Sequence, residues 1–286
     1  MSNLQLRVLV FVIGIPALLV LSFLQRGLNH LGLSLLAMSA SMIGGVEMRS
    51  LLSQRLDSLH LSPVSAALLA LSLPALAYLE GIGLIPAEIA VLGFPVLVVL
   101  VFARQALWRD ATRARFAITN LASAVLILLY PGWFVAWVIR LASLEHSVAG
   151  LALLVGVTFL NDSAAYVAGR LFGQRRGVVA VSPGKSVAGF GAGLLVSTLW
   201  PLAVRPLVPL IAGVSAWRLA LIGFGLGAAS IVGDLVESAL KRAGEIKDSG
   251  NLIPGRGGVL DSIDSPRSEE QKSELQQLLI ICYAVF

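Results

Sequence analysis

Charge is scarce in this chain, and cysteine is almost absent. Only 13% of its 286 residues are Asp, Glu, Lys or Arg, whereas an ordinary soluble domain carries about 25%. That composition excludes intrinsic disorder, which needs low hydrophobicity and high net charge, and the collagen and coiled-coil classes, which need a strict repeat. Cys282 is the single cysteine, so neither an intramolecular disulfide nor a cysteine metal cluster can form. The net charge of +5 and pI near 9.8 would suggest nucleic acid in a soluble protein. There is no basic run of five or more and no RNA-binding signature, so no nucleic-acid partner is expected. Internal repeats are also lacking, and the polar stretches are too short to fold alone.

What fills the chain instead is apolar: 57% of residues are hydrophobic and the mean hydropathy is +0.88. A helix needs about 20 mostly apolar residues to cross the hydrocarbon core. On that length the chain is expected to be an all-α, polytopic integral membrane helical bundle of about eight spans. They lie near 8–24, 28–46, 63–80, 87–103, 117–142, 148–168, 187–212 and 217–240. The first follows a lone Arg7 without a small-residue cleavage site, so it reads as a retained helix. The fifth holds Tyr130-Pro131-Gly132-Trp133, but its halves are each too short to span, which predicts one kinked helix. Pro201, Pro206 and Pro209 predict a break in the seventh. With the N-terminus cytoplasmic, 17 of the 21 Lys and Arg fall inside, and only Arg26, Arg140, Arg205 and Arg218 fall outside. This is the positive-inside pattern. It places segments 169–186 and 241–264 on one face, where nucleotides are found. Gly189, Gly193, Gly223 and Gly227 have the small-xxx-small spacing of close helix packing.

Acids inside the spans are the exceptions that carry information. Asp162 interrupts VTFLNDSAAYVAG, and Asp234 and Glu237 interrupt GAASIVGDLVESAL. A carboxylate at a helix centre costs roughly 2.5 to 3.5 kcal/mol, so it has a partner or a function. Ser230, Asp234, Glu237, Ser238 and Lys241 recur every three or four residues and line one face of the last helix. Directly after it, KRAGEIKDSGNLIPGRGGVLDSID sets Lys241, Arg242, Lys247 and Arg256 against Glu245, Asp248, Asp261 and Asp264 among glycines. That mixture is not a basic lipid-binding run. It suits metal and phosphate together: carboxylates for Mg²⁺, which shares phosphate oxygens, and lysines and glycine N–H groups for the remaining anionic charge. The other polar loop, GRLFGQRRGVVAVSPGKSVAGFGAG, repeats the theme with Arg170, Arg175, Arg176 and Lys185. It is not a P-loop, because position 179 is Val where the motif requires glycine.

At these residues the sequence resembles the phosphatidate cytidylyltransferase, or CDP-diacylglycerol synthase, family. The family signature is matched by Ser238, Leu240, Lys241, Arg242, Lys247, Asp248, Gly250, Ile253, Pro254, Gly257, Gly258, Val259, Asp261, Ile263 and Asp264. NDSAAYVAGRLFG and SPGKS are similar to the family's other cytoplasmic blocks. The resemblance divides the chain into N-terminal membrane helices (1–145), a catalytic membrane region (146–264) and a divergent tail (265–286). It implies transfer of a cytidylyl group from CTP to phosphatidic acid, giving CDP-diacylglycerol and pyrophosphate for phospholipid biosynthesis. It also implies a homodimer in the bacterial inner membrane, with the active site facing the cytoplasm. Asp234 and Asp261 take the place of the family's metal-binding aspartates, for one Mg²⁺ or two. Lys241, Lys247, Asp248 and Asp264 fall at catalytic positions. Ser182, Lys185, Ser186, Arg242, Asn251, Gly257, Gly258 and Asp162 fall at substrate-binding ones.

The chain also departs from the signature. The histidine before Gly-Gly is Arg256, the arginine after Asp261 is Ser262, and the tail turns polar before nine apolar residues, 278–286, too few to span. So abrupt a change reads as a frameshifted or divergent C-terminus and opens the reading of a catalytically impaired member. Two further alternatives remain at this level. A CTP-dependent polyprenol kinase would share a CTP and metal site, and a transporter would use Asp162, Asp234 and Glu237 for ion coupling.

Overall fold

The computed structural model describes residues 30–243 except 55, 57, 58, 108–113 and 176, and not the side chains of Leu210 and Lys241. Among the described residues the regular structure is helical throughout, and seven helical segments are long and apolar enough to cross a membrane. The chain is a polytopic integral membrane protein. The expected first span, 8–24, lies outside the described residues. The helices fall into two units, one in residues 30–144 and one in residues 145–242.

In the first unit, α1 (Leu31–Ser53), α2 (Pro63–Gly81), α3 (Ala87–Ala106), α4 (Ala117–Ile127) and α5 (Phe134–Ala142) follow in order. α1 runs seven residues beyond the expected end at 46. Glu47 and Arg49 do not stop it, because Met48 and Leu51 keep an apolar face buried for another turn. Arg49 Nε donates to the carbonyl of Leu61 at 2.9 Å. α2 starts at Ser62, whose side chain accepts from the Ser65 N–H, with Pro63 in the first helical position where its missing N–H costs nothing.

The Tyr130-Pro131-Gly132-Trp133 segment is one kinked span, as expected. α4 and α5 are joined without a break by a π-helical turn, Leu128–Trp133. Proline is tolerated in a membrane helix where a neighbour satisfies the backbone it frees. Pro74 in α2 has no N–H to offer the carbonyl four residues back, that of Ala70. Ser41 of α1 places its hydroxyl 2.8 Å from that carbonyl and 2.6 Å from the carbonyl of Pro131 in the π-helical turn. One buried hydroxyl therefore lies between the carbonyl that Pro74 frees and the kinked span. Gly45 lets α1 approach, since a Cβ there would sit 2.6 Å from Ala70 Cβ and 2.8 Å from the Ala66 carbonyl oxygen. The kinked span is the best buried segment of the unit, whereas α3 turns Leu92, Val96, Val99 and Phe102 outward, as a lipid-facing helix should. The ends of α2 and α5 are joined by Glu80 and Arg140, whose Nε and Nη2 both lie 2.7 Å from Glu80 Oε2. Trp137 stacks under the guanidinium, 5.0 Å from the ring centroid.

In the second unit, α6 (Ser147–Phe172) packs extensively along α7 (Val187–Val204), followed by the short α8 (Pro209–Ala212) and the long α9 (Ala216–Ala243). The break expected in the seventh span, 187–212, is there: α7 ends at Val204 and a separate short helix begins at Pro209. Pro206 and Pro209 prevent continuation, and Val208, ahead of Pro209, takes an extended conformation with φ −116° and ψ 99°. Pro201 is accommodated within α7.

Candidate functional site

The polar face foreseen on α9 exists. Ser230 and Glu237 are buried, while Val232 and Val236 on the other side are exposed. Polar inside and apolar outside is the order expected of a helix that meets lipid on one flank and a polar interior on the other. Asp234 lies between Ser230 and Glu237, its side chain about three-quarters covered.

The loop from α6 to α7 is folded rather than merely connecting. Gly177 adopts a left-handed φ of 74° and donates to the Pro183 carbonyl. Ser182 N–H donates to the Val179 carbonyl, and Lys185 N–H to the Ser182 carbonyl. Ser186 then caps α7: its backbone is extended and its Oγ accepts from the Gly189 N–H at 3.1 Å. The end of α6 closes against this cap, since a Cβ on Gly173 would lie 2.9 Å from Ser186 Oγ and one on Gly169 3.1 Å from it. These three backbone hydrogen bonds and the Ser186 cap thus fix the chain around Lys185 just ahead of α7.

From that anchored position Lys185 forms an ion pair with Asp234, Nζ against Oδ2. Its ammonium also lies over Phe190, 5.6 Å from the ring centroid. The contact brings a cation of the α6–α7 loop to an acid near the end of α9, so these two motif-bearing stretches meet at one end of the unit. Of the sequence-derived candidates, Ser182, Lys185, Ser186 and Asp234 gather here. Asp162 lies on α6 next to Asn161, and Arg242 is exposed. The side chain of Lys241, and all of Lys247, Asp248, Asn251, Gly257, Gly258, Asp261 and Asp264, lie outside what the structure describes.

A polar residue that sequence reasoning passed over ties the unit together. Asn161 on α6 is 1% exposed. Its Nδ2 donates to Ser197 Oγ on α7 at 2.9 Å and to the Gly227 carbonyl on α9 at 3.1 Å. The four glycines do pack closely: a Cβ on Gly189 would meet the Ala165 carbonyl oxygen at 2.7 Å, on Gly193 Asn161 Oδ1 at 2.7 Å, on Gly223 the Ser197 carbonyl oxygen at 2.3 Å, and on Gly227 Ser197 Cβ at 2.6 Å. Asn161, Ser197 and these glycines form a close-packed seam between α6, α7 and α9. The signal in sequence was Asn161 itself, an amide in an apolar run, overshadowed by the charge of Asp162.

No group of three or more His, Cys, Asp and Glu is assembled among the described residues. The described part of the site offers a metal the carboxylate of Asp234, an oxygen donor of the kind that Mg²⁺ takes.

A model of the cytidylyltransferase family matches residues 5–267. A phosphatidate cytidylyltransferase of Staphylococcus epidermidis is 41% identical over 109 residues, 38% of this chain and 41% of that protein. One from Bacillus subtilis is 32% identical over 193 residues, 66% of each chain. The Uncharacterized protein YnbB of Escherichia coli is 36% identical over 146 residues, 46% of this chain and 48% of that protein. The chain thus spans about two-fifths of the length of the Staphylococcus epidermidis relative and about two-thirds of the Bacillus one.

Proposed function

The chain belongs to the cytidylyltransferase family, and from that premise we propose that it transfers a cytidylyl group from CTP to phosphatidic acid. A phosphate oxygen of phosphatidic acid attacks the α-phosphorus of CTP. The new P–O bond forms as the bond between the α- and β-phosphates breaks, and pyrophosphate leaves with the electron pair. The observation that carries this reading is the meeting of Lys185 and Asp234 at one end of the second unit. It joins a cation suited to phosphate and a carboxylate suited to a metal ion.

A phosphate monoester is already an anionic nucleophile, so the reaction is limited by alignment and by repulsion between two anions rather than by the lack of a base. No Ser-His-Asp or Cys-His constellation is then needed. Asp234 and Asp261 would hold Mg²⁺, which when bound supplies positive charge to the phosphates. Lys185, Lys241 and Lys247 stabilise the phosphates and the departing pyrophosphate, with Arg242 beside them. Asp248 and Asp264 orient these cations and the metal carboxylates. Ser182, Ser186, Asn251, Gly257 and Gly258 supply hydroxyl, amide and backbone donors to the nucleotide, and Asp162 lines the approach from α6. The charge asymmetry of the loops supports an active site on the cytoplasmic side of a bacterial inner membrane.

The test is purified protein in mixed micelles with phosphatidic acid, Mg²⁺ and CTP labelled on the α-phosphate. Labelled CDP-diacylglycerol and free pyrophosphate are expected, and chelation with EDTA should abolish both. Label recovered as CDP beside a newly phosphorylated lipid would establish the kinase reading instead. The same assay on a variant carrying R256H and S262R measures what the two departures from the family signature do.

A further inference from the structure

Lys185 is turned the wrong way for an interfacial lysine. Such side chains normally snorkel, stem along the apolar surface and ammonium toward water. Here the residue precedes the first turn of α7, yet its ammonium lies over Phe190, which is inside that helix. The arm is folded back along α7 rather than extended away from it. The group it reaches is the Asp234 carboxylate, and both side chains are about three-quarters covered. Two opposite charges therefore satisfy one another at the place where the cytidylyltransferase reading needs each of them for something else.

On that reading, which this inference rests on, we infer that Lys185 and a divalent cation compete for the Asp234 carboxylate, while Asp234 and a nucleotide phosphate compete for the Lys185 ammonium. Each ligand frees the residue that the other requires, so metal and nucleotide bind cooperatively through this pair. Charge balances throughout. Lysine neutralises aspartate before binding; afterwards the metal faces the aspartate and lysine faces phosphate. Such an exchange keeps an isolated carboxylate, or an isolated ammonium, from being left in a partly desolvated site at either stage.

The signature is reciprocal and runs against ordinary loss of a ligand. Mn²⁺ binding to the full-length protein without nucleotide, followed by electron paramagnetic resonance, should be about fivefold tighter in K185M than in the wild type, because the competitor is gone. CTP binding in EDTA, followed by equilibrium dialysis, should be about fivefold tighter in D234N, because the lysine is released. K185R, which keeps the cation, should bind Mn²⁺ as the wild type does, and K185Q stands in should K185M not elute as a single species. A K185M or K185Q protein whose Mn²⁺ affinity is unchanged or weaker, beside a wild type that binds CTP and makes CDP-lipid, overturns the exchange alone. Failure of the wild type to bind either CTP or Mn²⁺ overturns the cytidylyltransferase reading and the exchange with it.

Discussion

Replacing Asn161 with aspartate changes one NH₂ group for one oxygen, and its effect on stability should be among the largest that a single isosteric change can make in the second unit. Asn161 is 1% exposed, and its Nδ2 donates to Ser197 Oγ at 2.9 Å and to the Gly227 carbonyl at 3.1 Å. Aspartate of the same shape can still accept from the Ser197 hydroxyl, but it turns an oxygen toward the Gly227 carbonyl, which has no hydrogen to give. Interhelical hydrogen bonds in membranes average about 0.6 kcal/mol and reach about 1.7, the range for the one lost bond. The carboxylate adds roughly 2.5 to 3.5 kcal/mol on the lenient insertion scale, since no cation is among the partners of the amide. N161D should therefore cost about 3 to 5 kcal/mol. N161A loses both bonds but removes Asn161 Oδ1, a buried acceptor without a hydrogen-bond partner, and introduces no charge, so about 1 to 2 kcal/mol is expected. Reversible SDS denaturation in mixed micelles, read by helical circular dichroism, ranks the two. If N161D unfolds within 1 kcal/mol of the wild type, or more easily tolerates SDS than N161A, the hydrogen-bonded seam between α6, α7 and α9 is wrong as described.

Three other changes probe separate contacts by the same denaturation assay. G193A should cost roughly 1 to 3 kcal/mol, because its Cβ would lie 2.7 Å from Asn161 Oδ1 and the seam must open. Two residues away, G191A meets nothing within 4 Å and should stabilise the helix by up to about 1 kcal/mol; the same sign for both would refute the packing. S41A removes the hydroxyl that lies against the Ala70 and Pro131 carbonyls and should cost about 1 to 3 kcal/mol; if P74A, which returns a helical N–H to the Ala70 carbonyl, does not reduce that cost, Pro74 is not what makes the hydroxyl necessary. A double-mutant cycle on Glu80 and Arg140 should return a coupling of about 1 kcal/mol, since both side chains are less than a quarter exposed and the geometry is close; a coupling indistinguishable from zero would mean the pair is solvated.

The spans were legible because length and apolar character are the dominant physical demands of a bilayer, and they act on every residue alike. The kink at Tyr130-Pro131-Gly132-Trp133 was legible for the same reason: two halves too short to span could only be one helix. The break in the seventh span was legible from its prolines, but not from hydropathy. Val208 is forced toward extended backbone by Pro209, and a hydropathy window averages across that single residue. α1 continues past residue 46 because Met48 and Leu51 find partners in the fold, information that the charges at 47 and 49 conceal in sequence. Asn161 was missed because whether position 161 or 162 faces the neighbouring helices depends on the rotation of α6, which packing sets and spacing does not. The pairing of Lys185 with Asp234 was hidden differently. Each was singled out for a ligand, and nothing in a sequence separation of 49 residues reveals that they reach one another.

The seam and the ion pair are linked by the geometry of the helices that carry both. Asp234 lies seven residues beyond Gly227 on α9, a rise of roughly 10 Å. The start of α7 at Val187 lies ten residues before Ser197, a rise of roughly 15 Å. Because Ser197 and Gly227 meet at the seam, and the Lys185 arm is folded back along α7, the few ångströms between those two heights are covered by the lysine side chain. Sliding α9 by one turn, about 5.4 Å, would carry Asp234 out of that reach while leaving an equally apolar surface toward lipid. Hydropathy alone cannot resist such a slip. Glycines without Cβ atoms, interlocked with Ser197 and held by the Asn161 amide, can. Residues away from the ion pair thereby set the height at which the carboxylate and the ammonium meet, and for the proposed transfer, which depends on alignment, misplacement by about 1 Å is enough to cost roughly 100-fold.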